Sequence, residues 1–165
     1  MKLNRLAFSV TSALLFAVPV VGVPAFQSRG NAETLTPQVI AQSQSVAIAT
    51  GTFVAGEAPT TGTARIVTEN GHRYLELDAA FSTSNMGPDL HVLLDSTNRP
   101  PQSYTNLGSV INLGGLREYS GAQRYPIPDS IAIENFDSVV IWCRMANATF
   151  GYAPLNPATN ASIRQ

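Results

Sequence analysis

The chain has 165 residues and a mass of 17.6 kDa, which is room for one domain. Ten basic and eleven acidic residues give a net charge of −1, so the chain carries no electrostatic footprint for nucleic acid. One cysteine excludes an intramolecular disulfide framework and any multi-cysteine metal cluster, and 44 % hydrophobic residues argue against disorder.

Lys2 and Arg5 precede an apolar stretch from Leu6 to Phe26, interrupted by Thr11, Ser12 and two prolines. A positive start, an apolar run and small residues near its end form the pattern of a secretory signal. Val23-Pro24-Ala25 offers a cleavage point after Ala25, with later alternatives at Ala32 and Ala41. The competing reading is an uncleaved anchor, but Pro19 and Pro24 interrupt the helix a span would need. The expectation is an exported protein, periplasmic or secreted, with a signal peptide over 1–25 and no stable membrane span after cleavage. Cleavage removes the only lysine and leaves eight arginines against eleven carboxylates, a net charge of −3. That balance is a poor match to phosphate or anionic lipid.

Residues 26–44 are rich in Gln, Ser, Thr and Asn and read as a flexible linker. A domain over 45–157 follows, with a short tail over 158–165. Val46, Ile48, Phe53 and Val54 sit among Thr and Gly as a first strand. Thr61 to Thr68 predicts a second, and Tyr74 to Leu77 a third with period-two alternation. Asn70-Gly71 between them is a strong hairpin signal. Leu90 to Leu94 and Val110 to Leu113 predict two more strands. The prolines of Tyr125-Pro126-Ile127-Pro128 confine that segment to an edge or an extended crossing. Ser138 to Met145 is the clearest strand, with Ala148 to Leu155 as its partner. No long window has a helical period. The expected fold is all-β, an antiparallel sandwich or barrel-like sandwich of short strands.

Cys143 is the first chemical candidate. Alternation sets Val139, Ile141, Cys143 and Met145 on one face of its strand, and Val140, Trp142 and Arg144 on the other. It reads either as a small buried hydrophobe or as a redox thiol or metal-centre ligand. The second role needs access to solvent or a cation that favours thiolate. His72, beside the Asn70-Gly71 turn, and His91, on the face of Asp89 and Asp95, read as surface residues. Two histidines and one cysteine are too few for a zinc site. With no Cys-x-x-Cys-His run, covalent haem is excluded. Non-covalent haem stays open, with Cys143, Met145, Met86 or either histidine as an axial candidate. Gly87-Pro88-Asp89-Leu90 reads as a tight turn whose carboxylate caps backbone amides, or as a calcium ligand at Asp89. No nucleophile elbow, zinc-protease motif or phosphate loop occurs. Among the aromatic residues, Tyr104 and Tyr119 in loop-like surroundings are the candidates for sugar stacking.

Several segments taken in order resemble a known family. They are Gly51-Thr52-Phe53, Thr61-Gly62-Thr63-Ala64, Tyr74 to Leu77, Gly87-Pro88-Asp89-Leu90 with His91 to Leu94, and Leu107-Gly108. Gly121 to Pro128, Ser138 to Cys143 including Trp142, and Phe150 to Leu155 complete the set. The chain resembles the DM-thirteen domain family over about Gly51 to Leu155. That is a single-cysteine domain often found beside DOMON domains. The resemblance implies an all-β extracytoplasmic domain for electron transfer or redox modification, with Cys143 at the family's cysteine position. That cysteine would work as a bare thiol or hold a prosthetic group such as haem. Members often carry a histidine ahead of the second-strand glycine, where this chain reads Glu57-Ala58-Pro59-Thr60-Thr61-Gly62; if it is a ligand there, this chain lacks it. Two readings follow. One is an exported redox module using Cys143, serving an unidentified redox partner. The alternative is a non-catalytic binding or envelope-associated module, not an enzyme by itself, in which Cys143 is structural.

Overall fold

Asn70 and Gly71 both adopt positive φ, 51° and 81°, the conformation a two-residue primed turn demands. They join strands β3 (Thr63–Glu69) and β4 (His72–Leu77) into a hairpin with Glu69 opposite His72. This hairpin is the centre of the first sheet. The computed structural model describes residues 44–159. The expected signal peptide, nearly all of the linker and the end of the tail lie outside the described residues.

The first sheet continues with β1 (Val46–Thr52) antiparallel to β3 and β7 (Gln123–Ile127) antiparallel to β4. The short β10 (Asn156–Pro157) pairs with the outer side of β1, giving the order β10-β1-β3-β4-β7. Pro126 thus lies on an edge strand, where its missing donor costs no ladder bond. The second sheet has the order β2-β9-β8-β5-β6, with β2 (Val54–Ala55), β9 (Ala148–Pro154), β8 (Ser138–Cys143), β5 (Leu90–Asp95) and β6 (Val110–Gly115). Neither sheet closes on itself, so the fold is a sandwich and not a barrel.

Alternation builds the core. Ala64, Ile66, Leu75, Leu77, Tyr125 and Ile127 of the first sheet face Leu90, Val92, Leu94, Val139, Ile141 and Cys143 of the second. Burying each larger aliphatic side chain contributes about 1.5–3 kcal/mol. The expected first strand is in fact two. The chain crosses from β1 into the second sheet at the buried Phe53, whose N–H donates to Gly62 O at 2.9 Å. A short 3₁₀ turn, Ile133–Asn135, precedes β8 and was not foreseen.

The outer face of the second sheet is also covered. The 14-residue connection from Asp95 to Val110, residues 96–109, lies over it and forms a second apolar cluster of Leu93, Tyr104, Val110, Val140 and Trp142. Every residue of β8 is therefore buried.

Candidate functional site

The clearest sequence candidate, Cys143, is the last residue of β8, opposite Leu90 on β5 and Ala148 on β9. Its exposure is 0 % and its thiol is free. It belongs to the apolar cluster between the sheets, with Leu90 and Phe150. A bulge in β9 leaves Phe150 as the extra residue between Gly151, opposite Ile141, and Thr149, opposite Trp142. The strand stops at Cys143. Residues 144–147 form a turn, so Met145, expected on the same face as Cys143, is 73 % exposed instead.

Gly87 explains part of the seal. A Cβ placed there would lie 2.5 Å from Leu90 Cδ2 and 2.7 Å from Phe150 Cε2. Only glycine lets the Gly87-Pro88 turn lie this close to the two side chains that flank the cysteine's end of the core. Asp89 does not cap backbone amides, as the sequence suggested. Its Oδ2 accepts from Arg144 Nε at 2.6 Å and its Oδ1 meets His91 Nε2 at 3.0 Å. The Arg144 bond, with help from His91, holds the Asp89 carboxyl below its ordinary value of 3.8. Arg144 N–H also donates to Asp89 O at 2.9 Å. Because Leu90 pairs with Cys143, this backbone bond and ion pair close the ladder immediately beyond the cysteine. Both carboxylate oxygens are engaged, which gives the calcium reading no support.

His91 is less exposed than expected, with 15 % of its side chain accessible, because the outer face it occupies is covered. On the other side of the ring, the Asn112 amide lies against His91 Nδ1, with Nδ2 at 3.1 Å and Oδ1 at 3.2 Å, and that Oδ1 also accepts from Gly114 N at 2.8 Å. Across the strands, His91 is the direct partner of Trp142, with ring centroids 6.4 Å apart in an edge arrangement.

Tyr104 is no sugar-stacking residue. It is 9 % exposed, its ring meets Trp142 edge-on at 6.0 Å, and its hydroxyl donates to Asp95 Oδ2 at 2.6 Å. Asp95 is 1 % exposed, and its Oδ1 accepts from both the N–H and the hydroxyl of Thr97 at 2.8 Å. Burial, and then the Asp95 hydrogen bond, push the Tyr104 phenol far above its usual range. Asn147, at φ 48°, fastens the covering segment. Its Oδ1 accepts from Tyr104 N at 3.0 Å and Trp142 Nε1 at 3.2 Å, and its Nδ2 donates to Tyr104 O at 2.9 Å. Sequence reading missed Asp95, Tyr104 and Asn147 as one group. The available signal was the unbroken apolar run Val139-Val140-Ile141-Trp142-Cys143, which demands cover on both faces. Tyr119, the other stacking candidate, is exposed.

A haem on Cys143 would need an accessible sulfur and room beside it. The sulfur is sealed, and beside it even a methyl group on Gly87 would overlap the Leu90 and Phe150 side chains unless they moved. Met86 is 83 % exposed, and His72 pairs with Asp129 at 3.3 Å on the surface, so neither stands across from the cysteine's core position. The residues present do not fit the group. An apolar groove of about 360 Å³ lined by Ile48, Ile66, Phe136 and Leu155 lies at the other end of the sandwich. It opens beside Asp137, and the five residue steps of β8 from Ser138 to Cys143 span roughly 17 Å.

A two-sheet antiparallel sandwich with a single sealed cysteine at the end of a central strand is thus the class of domain defined here. The model of a family described as electron transfer DM13 matches residues 52–155, from the end of β1 to the end of β9, and the chain belongs to that family. No curated protein and no solved structure matches it.

Proposed function

We propose that this protein is an exported electron-transfer module whose redox group is the Cys143 thiol, used through opening of the 144–147 turn. Membership of the electron-transfer family carries the reading, together with the place of the chain's single cysteine inside the matched region. The leader-like start supports export. Burial at 0 % is the reason the reading includes an opening step. A thiol in apolar surroundings is inert while sealed, since the thiolate is the reacting form. Parting of Arg144 from Asp89 frees the last pair of the ladder and brings the sulfur to solvent.

The oxidant for such a thiol is a partner disulfide. The Cys143 thiolate attacks one of its sulfurs, a mixed disulfide forms, and the other sulfur leaves as a thiolate carrying the electron pair. The test is incubation of the folded full chain with a small aromatic disulfide, followed by mass measurement. The expected result is one adduct on Cys143 formed under native conditions and none in Cys143→Ala. Adduct formation confined to the denatured chain overturns the reading.

A second reading is favoured by one specific observation. Cys143 lies among apolar neighbours, and the nearest cation in sequence, Arg144, is engaged by Asp89. On this reading Cys143 is packing within a non-catalytic binding or envelope-associated module, and its thiol reacts only on global unfolding.

A further inference from the structure

We propose that Trp142, Tyr104 and Asp95 form a one-electron relay with its own proton acceptor, on the face of β8 opposite Cys143. The inference takes the electron-transfer reading as its setting, but none of its atoms belongs to the thiol. It starts from a hydroxyl that the fastening of the covering segment does not use. The covering segment is already fastened at Tyr104 by Asn147, which bonds both the N–H and the C=O of that residue, and at Thr149, whose hydroxyl donates to Pro101 O at 2.6 Å. A phenylalanine at position 104 would fill the same apolar cluster without a buried hydroxyl. The fold instead places a phenol 2.6 Å from a carboxylate that is 1 % exposed, an expensive arrangement to desolvate.

Chemically the pair is matched to proton-coupled oxidation. A phenol gives up an electron far more readily when its proton has somewhere to go. Asp95 Oδ2 is that acceptor, and Thr97 fixes the carboxylate through the other oxygen. Trp142 has no comparable acceptor, because its Nε1–H points to the neutral amide of Asn147. A positive charge arriving on the indole therefore moves on to Tyr104 and rests there. The route in from solvent is short. Trp142 is 5 % exposed, and its cross-strand partner His91 keeps part of its ring accessible beside the surface pair Asp89–Arg144.

The step balances with a high-potential one-electron oxidant as co-reactant. That oxidant takes one electron from Trp142. Tyr104 replaces it, and the phenolic proton crosses the hydrogen bond to Asp95. The products are a neutral tyrosyl radical, a neutral Asp95 carboxylic acid and the reduced oxidant. An electron returned to Tyr104 draws the proton back.

The experiment is laser flash oxidation of the full-length protein by a photogenerated ruthenium(III) polypyridyl complex, followed by transient absorption and electron spin resonance. The proposal predicts a tyrosyl component that forms at a rate independent of buffer base, because its proton never reaches the solvent. This component is lost in Tyr104→Phe and retained in Tyr119→Phe, which removes the exposed competitor. In Trp142→Phe, which leaves the Tyr104–Asp95 bond in place, it appears more slowly, so the relay is tested even where Tyr104→Phe folds poorly. It persists in Cys143→Ala, which separates its failure from failure of the thiol reading. Loss of all tyrosyl signal in Tyr119→Phe, or an unchanged signal in Tyr104→Phe, overturns the proposal.

Discussion

Cys143 and Ser differ by one atom, yet the site separates them sharply. The thiol behaves as a small hydrophobe among Leu90, Phe150 and the rest of the inter-sheet cluster. A serine hydroxyl there would have to find a partner within a water-excluded, apolar setting. Cys143→Ser is therefore expected to cost about 1–3 kcal/mol of stability, and Cys143→Ala less, because alanine removes the sulfur without burying a polar group. Urea unfolding of the three proteins checks the order, and a serine variant as stable as wild type would show that water reaches the site. The alanine variant is for this reason the better probe of function: it deletes the redox atom with the smaller disturbance to the fold.

At the scale of elements, the end of the β5–β8 ladder is closed from two sides. Gly87 packs against Leu90 and Phe150, and Arg144 is bound to Asp89. Gly87→Ala forces a methyl group against the ends of both side chains, so Leu90 and the Phe150 ring must give way. We expect a loss of about 1–3 kcal/mol and faster labelling of the native thiol. Thermal unfolding and labelling kinetics read the two effects, and an unchanged labelling rate would mean that Gly87 takes no part in sealing Cys143. Much of this level was legible in the sequence. The Asn70-Gly71 hairpin follows from local dihedral preference, and the Pro126 edge strand from a missing donor. The two faces of β8 follow from alternation alone. The crossing at Phe53 was not legible, because the residues on either side read as one strand and only pairing with β3 and with β9 separates them. The Tyr104–Trp142–Asp95 group was not legible either. Its members come from two strands and a 14-residue connection, and only the folded second sheet brings them together.

At the scale of the whole molecule, few charges are available to set how stability depends on pH. The Asp89 carboxyl is held below its ordinary value, chiefly by Arg144. A carboxyl depressed in the folded state stabilises fully above its unfolded value, near pH 4. That contribution is lost as pH falls through the folded value. Wild type should therefore lose stability on acidification from pH 5 to below 4 more steeply than Asp89→Asn, which has no carboxyl to protonate. Melting temperatures across that range test this, and parallel curves for the two proteins would remove Asp89 from the account. The same acidification weakens the ion pair that closes the ladder beyond Cys143, so local opening and global stability are linked through one residue.

The central claim is that Cys143 is a sealed thiol reached by local opening and not by unfolding. The most direct measurement is the rate of native-state thiol labelling of the full chain at increasing denaturant, set beside the free energy of global unfolding. The account predicts a labelling reaction nearly independent of denaturant at low concentrations, with an opening free energy well below that of global unfolding. Labelling that follows global unfolding from the lowest denaturant upward would contradict it and leave Cys143 as core packing.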